Sequence, residues 1–228
     1  MKAKLIVIEG SDGSGKQTQS KLLVRRLNEN YKSEMMSFPT YGTPTGDIVG
    51  DCYLGKNNRI KTGSWFSDPV NLDPKIACLY YAANRLANLP IMNAKLNELD
   101  FLVLDRYVES NMGHQCGKLE NKEEREKLRE WIYSLEYNFL ELPKPDLVIF
   151  LYMPFEIAKK LSRERSKEIN SKLDAHELSE KHLRDAERAY LELSEYYNWK
   201  KIDCYKNNVV RTIEDIHEEV FKLIESLL

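Results

Sequence analysis

A chain of 228 residues with 34 basic and 36 acidic side chains has a formal net charge of −2, so it carries no overall charge with which to coat nucleic acid or a membrane, and any phosphate recognition must come from local clusters. The length fits one α/β domain with a lid and is enough to bury a sizeable core. The apolar runs are too short to span a bilayer, the first shows no signal-peptide pattern, and Cys52, Cys78, Cys116 and Cys204 are scattered without a CxxC pair; the expectation is a cytoplasmic protein with reduced thiols and neither nucleic-acid nor membrane partners.

The first run, Leu5–Ile8, has the length of a buried strand, and Leu22, Leu23 and Leu27 follow at helical spacing. Between them lies GSDGSGKQTQ. Gly10, Gly15 and Lys16 complete GxxxxGK in the strand–loop–helix setting that a phosphate loop requires. Backbone N–H groups along Gly10, Ser11, Asp12, Gly13, Ser14 and Gly15 then face phosphate oxygens, the helix N-terminus adds positive dipole, and Lys16 reaches the β and γ phosphates of ATP. The next residue is usually a Ser or Thr that holds Mg2+, but here it is Gln17, at best a weak metal ligand. Thr18 lies about 100° further round the helix and is no easy substitute.

A second strand is predicted at Met35–Phe38, followed by FPTYGTPTG. A helix through Ile76, Leu79, Tyr80 and Ala83 leads to a third strand, Phe101–Leu104, which ends in DRYVESNMGHQ. Leu128, Trp131, Ile132 and Leu135 mark a further helix and Leu147–Leu151 a fourth strand. Charged helical stretches at Phe155–Lys167 and Leu178–Tyr197, a short strand near Lys201–Asp203 and a closing helix, Ile213–Leu228, complete the chain. The alternation predicts an α/β fold: a single domain over 1–228, with a doubly wound parallel sheet of about five strands flanked by helices and a helical lid at about 160–180. Ligands of such sheets bind beyond the C-terminal ends of the strands.

Taken in order, GSDGSGKQTQ, FPTYGTPTG, YAANR and DRYVESNMGHQ resemble the thymidylate kinases, P-loop enzymes that convert dTMP and ATP to dTDP and ADP. The likeness continues through PDLVIFLYMP and RERSK to LDAHE, which is similar to that family's LDRxE lid segment. It implies a P-loop kinase fold, ATP and Mg2+ as cofactors, and a homodimer. Arg106 would grip the acceptor phosphate, a task suited to a planar guanidinium at a strand tip. Asp12 would face the acceptor 3′-hydroxyl, with Phe38 and Tyr41 beside the acceptor. Tyr81 would stack on thymine and Arg85 would bond the base edge, the two sharing a helix face. Asn111 matches a position that contacts the base in some members, and Gln115, also read as substrate-binding, agrees with the family pattern. Asp105 would meet Mg2+ through water, or instead form an ion pair with Arg106.

Two positions depart from the family pattern. His114 stands where an aromatic residue, often Tyr, lies near the acceptor sugar, and Gly13 leaves the phosphate loop without the arginine that some members carry there. Phosphoryl transfer needs cations around the transferred group. Arg163 and Arg165, with Lys167 nearby, are the lid source, unless they form a solvated helix face. Glu177, the last residue of LDAHE, would contact the lid or the metal waters. The catalytic set expected is Lys16, Arg106, Asp12 and Arg163. Rival readings are a kinase for another deoxynucleotide or a deoxynucleoside, and a nucleotide-binding regulatory protein without turnover. A pure binder, however, needs no second phosphate site.

Overall fold

A computed structural model describes residues 2–56, 63–168, 179–225 and 227, apart from the side chains of 165–168. Five parallel strands form the sheet: β1 (Lys4–Glu9), β2 (Ser33–Ser37), β3 (Phe101–Asp105), β4 (Leu147–Tyr152) and β5 (Lys200–Asp203), in the order β2-β3-β1-β4-β5. β1 is central, so the phosphate loop leaves the middle of the sheet.

The sequence of β1, KLIVIE, shows how the two layers arise. Alternate side chains point to opposite faces of a strand. Leu5 and Val7 join Leu102, Leu104, Met92, Met112 and Ile132 on one face, whereas Ile6 and Ile8 join Val103, Ile149, Leu23, Val220 and Ile224 on the other. The first face is covered by α3 (Pro74–Glu98), α4 (Val108–Gly117) and α5 (Lys122–Tyr133), the second by α1 (Lys16–Leu27) and α8 (Ile213–Glu225), while a short α2 (Pro44–Asp47) follows β2. Burial of each Leu or Ile contributes about 1.5–3 kcal/mol.

Several boundaries differ from the sequence reading. β2 is an edge strand in which Met35 and Met36 are only half-buried. The helix announced by Ile76–Ala83 runs on through Pro90 to Glu98 and starts where the Asp73 side chain accepts from the N–H groups of Lys75 and Ile76. A two-stranded hairpin, Tyr205–Lys206 with Val209–Val210, turns through Asn207 and Asn208 with positive φ. α6 (Phe155–Glu168) and α7 (Glu180–Tyr196) flank residues 169–178, so the middle of the expected lid, LDAHE with Glu177 included, lies outside the described residues.

Candidate active site

The phosphate loop is shaped by its neighbours. Gly13 has φ 86°, and a Cβ there would meet the Ala158 carbonyl oxygen at 2.3 Å, so α6 leaves no room for any side chain, an arginine included. Lys16 is buried; its Nζ donates to the Ser11 carbonyl at 2.7 Å and lies 3.9 Å from Asp12 Oδ1. Burial first, and the Arg106 cation second, push the Lys16 amine down to about 8. Gln17 is half-buried and Thr18 exposed, as the helical step predicts. The Asp105 Oδ1 atom is buried and has no hydrogen-bond partner among the described residues. The ion pair that the sequence left open for Asp105 is made instead by Asp12.

Arg106 takes φ 69°, a left-handed conformation costly for a side chain with a Cβ and typical of functional positions. Nη2 donates to Asp12 Oδ1, while Nη1 lies 3.3 Å from each of the Gly10 carbonyl, Ser110 Oγ and His114 Nε2. Behind it sits Glu9, fully buried at the end of β1, accepting from the Tyr107 N–H (2.9 Å), Ser110 Oγ (2.8 Å) and the Tyr190 hydroxyl (3.0 Å). Burial raises the Glu9 carboxyl, with Arg106 opposing. Burial also works against ionisation of Asp12, but Arg106 and Lys16 together hold its carboxyl well below the usual range. The result is two cations flanking one carboxylate.

A half-open cleft with about 540 Å³ of space opens from Arg106. All nine residues read as acceptor-binding line it: Asp12, Phe38, Tyr41, Tyr81, Arg85, Arg106, Asn111, His114 and Gln115. They come from four separate stretches that converge at the C-terminal ends of β1, β2 and β3. Thr40 is tied to α3 because its N–H donates to Asn84 Oδ1 at 2.9 Å, which carries Tyr41 to the rim. Arg85 is buried against Glu136, and Asn111 Nδ2 donates to the same carboxylate at 2.8 Å. Burial alone would lower Arg85, but the Glu136 carboxylate more than offsets it and holds the guanidinium above its ordinary value. Both polar side-chain amide atoms of Gln115 are buried without a partner among the described residues, leaving a donor and an acceptor for a ligand edge.

A second, smaller cleft of about 310 Å³ is walled by Ser11 and Asp12 of the loop and by Ala158, Lys159, Ser162 and Arg163 of α6. Arg163 is exposed on this wall, beside the phosphate loop. Asp12 lines both clefts. A phosphate loop and a separate pocket thus meet at one carboxylate between two cations, a layout for passing a phosphoryl group between two bound molecules.

The family model described as thymidylate kinase matches residues 8–220. The chain belongs to the thymidylate kinase family. Its reaction is a phosphotransfer from ATP to dTMP, and the rival reading of a binder without turnover falls away. The thymidylate kinase of Danio rerio is 30% identical over 98% of this chain and 91% of its own length, and the probable thymidylate kinase of Methanocaldococcus jannaschii is 31% identical over 97% and 96%. The fold is shared with a thymidylate kinase structure from Candida albicans, with a TM-score of 0.72 at 24% identity, covering 99% of this chain and 92% of that one.

Against the family pattern, the structure adds residues that motif reading missed. Leu54 and Lys56 join the acceptor cleft from the segment after a π-helical turn, Ile48–Tyr53, and the Lys56 ammonium sits 4.8 Å from the centre of the Tyr41 ring. Ser110 was detectable only as a polar residue in the same DRYVESNMGHQ stretch, four positions after Arg106. Glu9 was detectable as a carboxylate closing an apolar strand. Glu136 carries no sequence signal of its own. The side chains of Arg165 and Lys167 lie outside the described residues.

Proposed function

We propose that this thymidylate kinase holds its donor and acceptor phosphates on opposite sides of Asp12, with Lys16 on the donor side and Arg106 on the acceptor side. The observation that carries the proposal is the meeting of the two clefts at Asp12, with Lys16 3.9 Å from that carboxylate and Arg106 paired to it. An oxygen of the acceptor phosphate attacks the γ-phosphorus of ATP, the bond to the β–γ bridging oxygen breaks, and ADP leaves. Lys16 and Arg163 counter charge at the transferred group, and Arg106 aligns the attacking oxygen. Asp12 keeps Arg106 oriented and accepts from the acceptor 3′-hydroxyl.

Tyr81 stacks on thymine, Arg85 and Gln115 bond its edge, and Asn111 supports Arg85 through Glu136. The buried Asp105 Oδ1 beside the loop, which has no hydrogen-bond partner among the described residues, fits an Mg2+ site of the water-mediated kind, with Gln17 as a weaker contributor; Glu177, read as another, lies outside the described residues. Bound Mg2+ supplies charge neutralisation on the donor phosphates. The lid, with Arg163 and Arg165, excludes water as a competing acceptor.

Homodimer assembly and a cytoplasmic location belong to the same proposal. Ile76, Leu79 and Leu86 lie 41–50% exposed at spacings that share one face of α3, an apolar stripe suited to a second copy of the helix. A coupled assay of ADP release across the nucleoside monophosphates tests the acceptor assignment. dTMP should be the best acceptor and dUMP poorer, by the ~1–3 kcal/mol that one methyl group contributes. A higher rate with GMP or AMP would refute it.

A further inference from the structure

The first turn of α7 reaches the acceptor site through a pair of histidines. Ser179 caps this helix, its side-chain oxygen accepting from the His182 N–H at 3.3 Å. The His182 ring is 4% exposed and lies edge to edge with that of His114, with centroids 5.4 Å apart and planes only 13° apart, so that a ring N–H of one points in plane at a ring nitrogen of the other. His182 Nε2 lies 3.2 Å from His114 Nδ1, and His114 Nε2 lies 3.3 Å from Arg106 Nη1. The chain of contacts therefore runs from α7 through α4 to Arg106.

Hydrogen-bond chemistry gives this chain a direction. A guanidinium has donors only, so His114 Nε2 must present its lone pair to Arg106. A neutral imidazole carries one N–H, which places the His114 proton on Nδ1, from where it is donated to His182 Nε2. His182 must then carry its own proton on Nδ1. A single choice of tautomers satisfies both contacts, an assignment made from the network. The opposite His114 tautomer would turn an N–H against the N–H of Arg106. That would push Arg106 away from the orientation in which Nη1 also meets Gly10 and Ser110.

We infer that His182 is a positioning residue for phosphoryl transfer: it fixes the tautomer of His114, and through it the orientation of Arg106, tying the start of α7 to the acceptor-phosphate site. The inference rests on the acceptor-side role proposed for Arg106. Neither imidazole touches the reacting atoms in this role. The Tyr190 ring, edge-on to His114 with centroids 5.6 Å apart, holds the imidazole from a further side.

Long-range proton–nitrogen NMR correlations on the nitrogen-labelled full chain read the tautomers directly. The wild type should show His114 as the Nδ1–H form. His182→Leu removes the acceptor, so His114 should move towards the Nε2–H form. kcat/KM for dTMP should then fall about tenfold, the effect of one misdirected hydrogen bond to a charged group, while KM for ATP stays unchanged. His182→Gln offers an amide oxygen in place of Nε2 and should recover most of the loss. An Nε2–H tautomer or an imidazolium at His114 in the wild type at neutral pH overturns the inference. So does a His182→Leu enzyme with unaltered tautomer and kinetics, or an equal loss in both variants. If His182→Leu does not fold, the wild-type spectrum and His182→Gln decide. If the tautomers are as assigned but Arg106→Ala leaves dTMP binding intact, the role of Arg106 fails and the histidine pairing stands.

Discussion

Arg85 and Glu136 form a two-point contact inside the protein: Nε and Nη2 of the guanidinium donate to the two carboxylate oxygens, and neither side chain is more than 2% exposed. Arg85 Nη1 also donates to the Tyr107 carbonyl at 3.3 Å. A guanidinium has five N–H groups, so three are committed and the rest remain for the cleft that Arg85 lines. The clamp turns a flexible side chain into a fixed one, as its proposed role of reading the base edge requires.

Removing one partner of such a pair strands a buried charge. Glu136→Ala should lose about 3–5 kcal/mol of stability in urea unfolding. Glu136→Gln keeps an acceptor for Arg85 and should fold. Its KM for dTMP should rise several-fold while KM for ATP holds steady. Parallel rises in both constants would mean that Glu136 supports the domain at large and not the base site.

The lowered amine of Lys16 has a sign that can be worked out. In the free enzyme its value of about 8 lies below the ordinary 10.5, so between these values Lys16 is largely neutral. Donor phosphates favour the charged form. Binding of ATP above pH 8 should therefore take up a proton, and ATP affinity should weaken as pH rises through that window. Calorimetry at pH 8.5 in two buffers of different ionisation enthalpy reads the uptake, which should vanish in Lys16→Met. Buffer-independent heats in the wild type would show that Lys16 is fully charged before ATP arrives.

Gln17 and Asp105 should have opposite effects on the metal requirement. Gln17→Thr adds the short hydroxyl arm at the start of α1 and should lower the Mg2+ concentration for half-maximal activity. Asp105→Asn removes charge at this buried oxygen and should raise it. Titrating Mg2+ at fixed ATP distinguishes them. A wild type at full rate in excess EDTA, or a Gln17→Thr enzyme that needs more Mg2+, contradicts the metal assignment.

Much of this site was legible in the sequence, for reasons visible in the fold. Strands of a parallel sheet covered on both faces read as apolar runs, so β1, β3 and β4 stood out as Leu5–Ile8, Phe101–Leu104 and Leu147–Leu151. Of the residues read as acceptor-binding, Asp12 follows β1, Phe38 and Tyr41 follow β2, and Arg106, Asn111, His114 and Gln115 follow β3, where the sheet delivers ligands. Tyr81 and Arg85 lie on α3 and were found through the family resemblance, which supplied the roles proposed for all of them. The supporting side chains were not legible. Glu136 sits on a π-helical turn, 51 positions from the arginine it clamps, and no periodic pattern joins them. His182 reads as one polar residue among many in a charged helix until α7 packs on α4. β2 is hard to bound because an edge strand need not be uniformly apolar, and Asn207–Asn208 hid a hairpin whose strands are two residues each.

Lys16 and Arg106 are proposed to serve different phosphates on either side of Asp12. Calorimetric titration of Arg106→Ala and Lys16→Ala with ATP and with dTMP tests this most directly. Arg106→Ala should lose most of its affinity for dTMP and keep that for ATP, because the variant removes a charge-assisted fork worth roughly 1.5–3 kcal/mol, about ten- to a hundredfold in Kd. Lys16→Ala should show the reverse. Equal losses for both ligands in both variants would contradict the division into donor and acceptor sites.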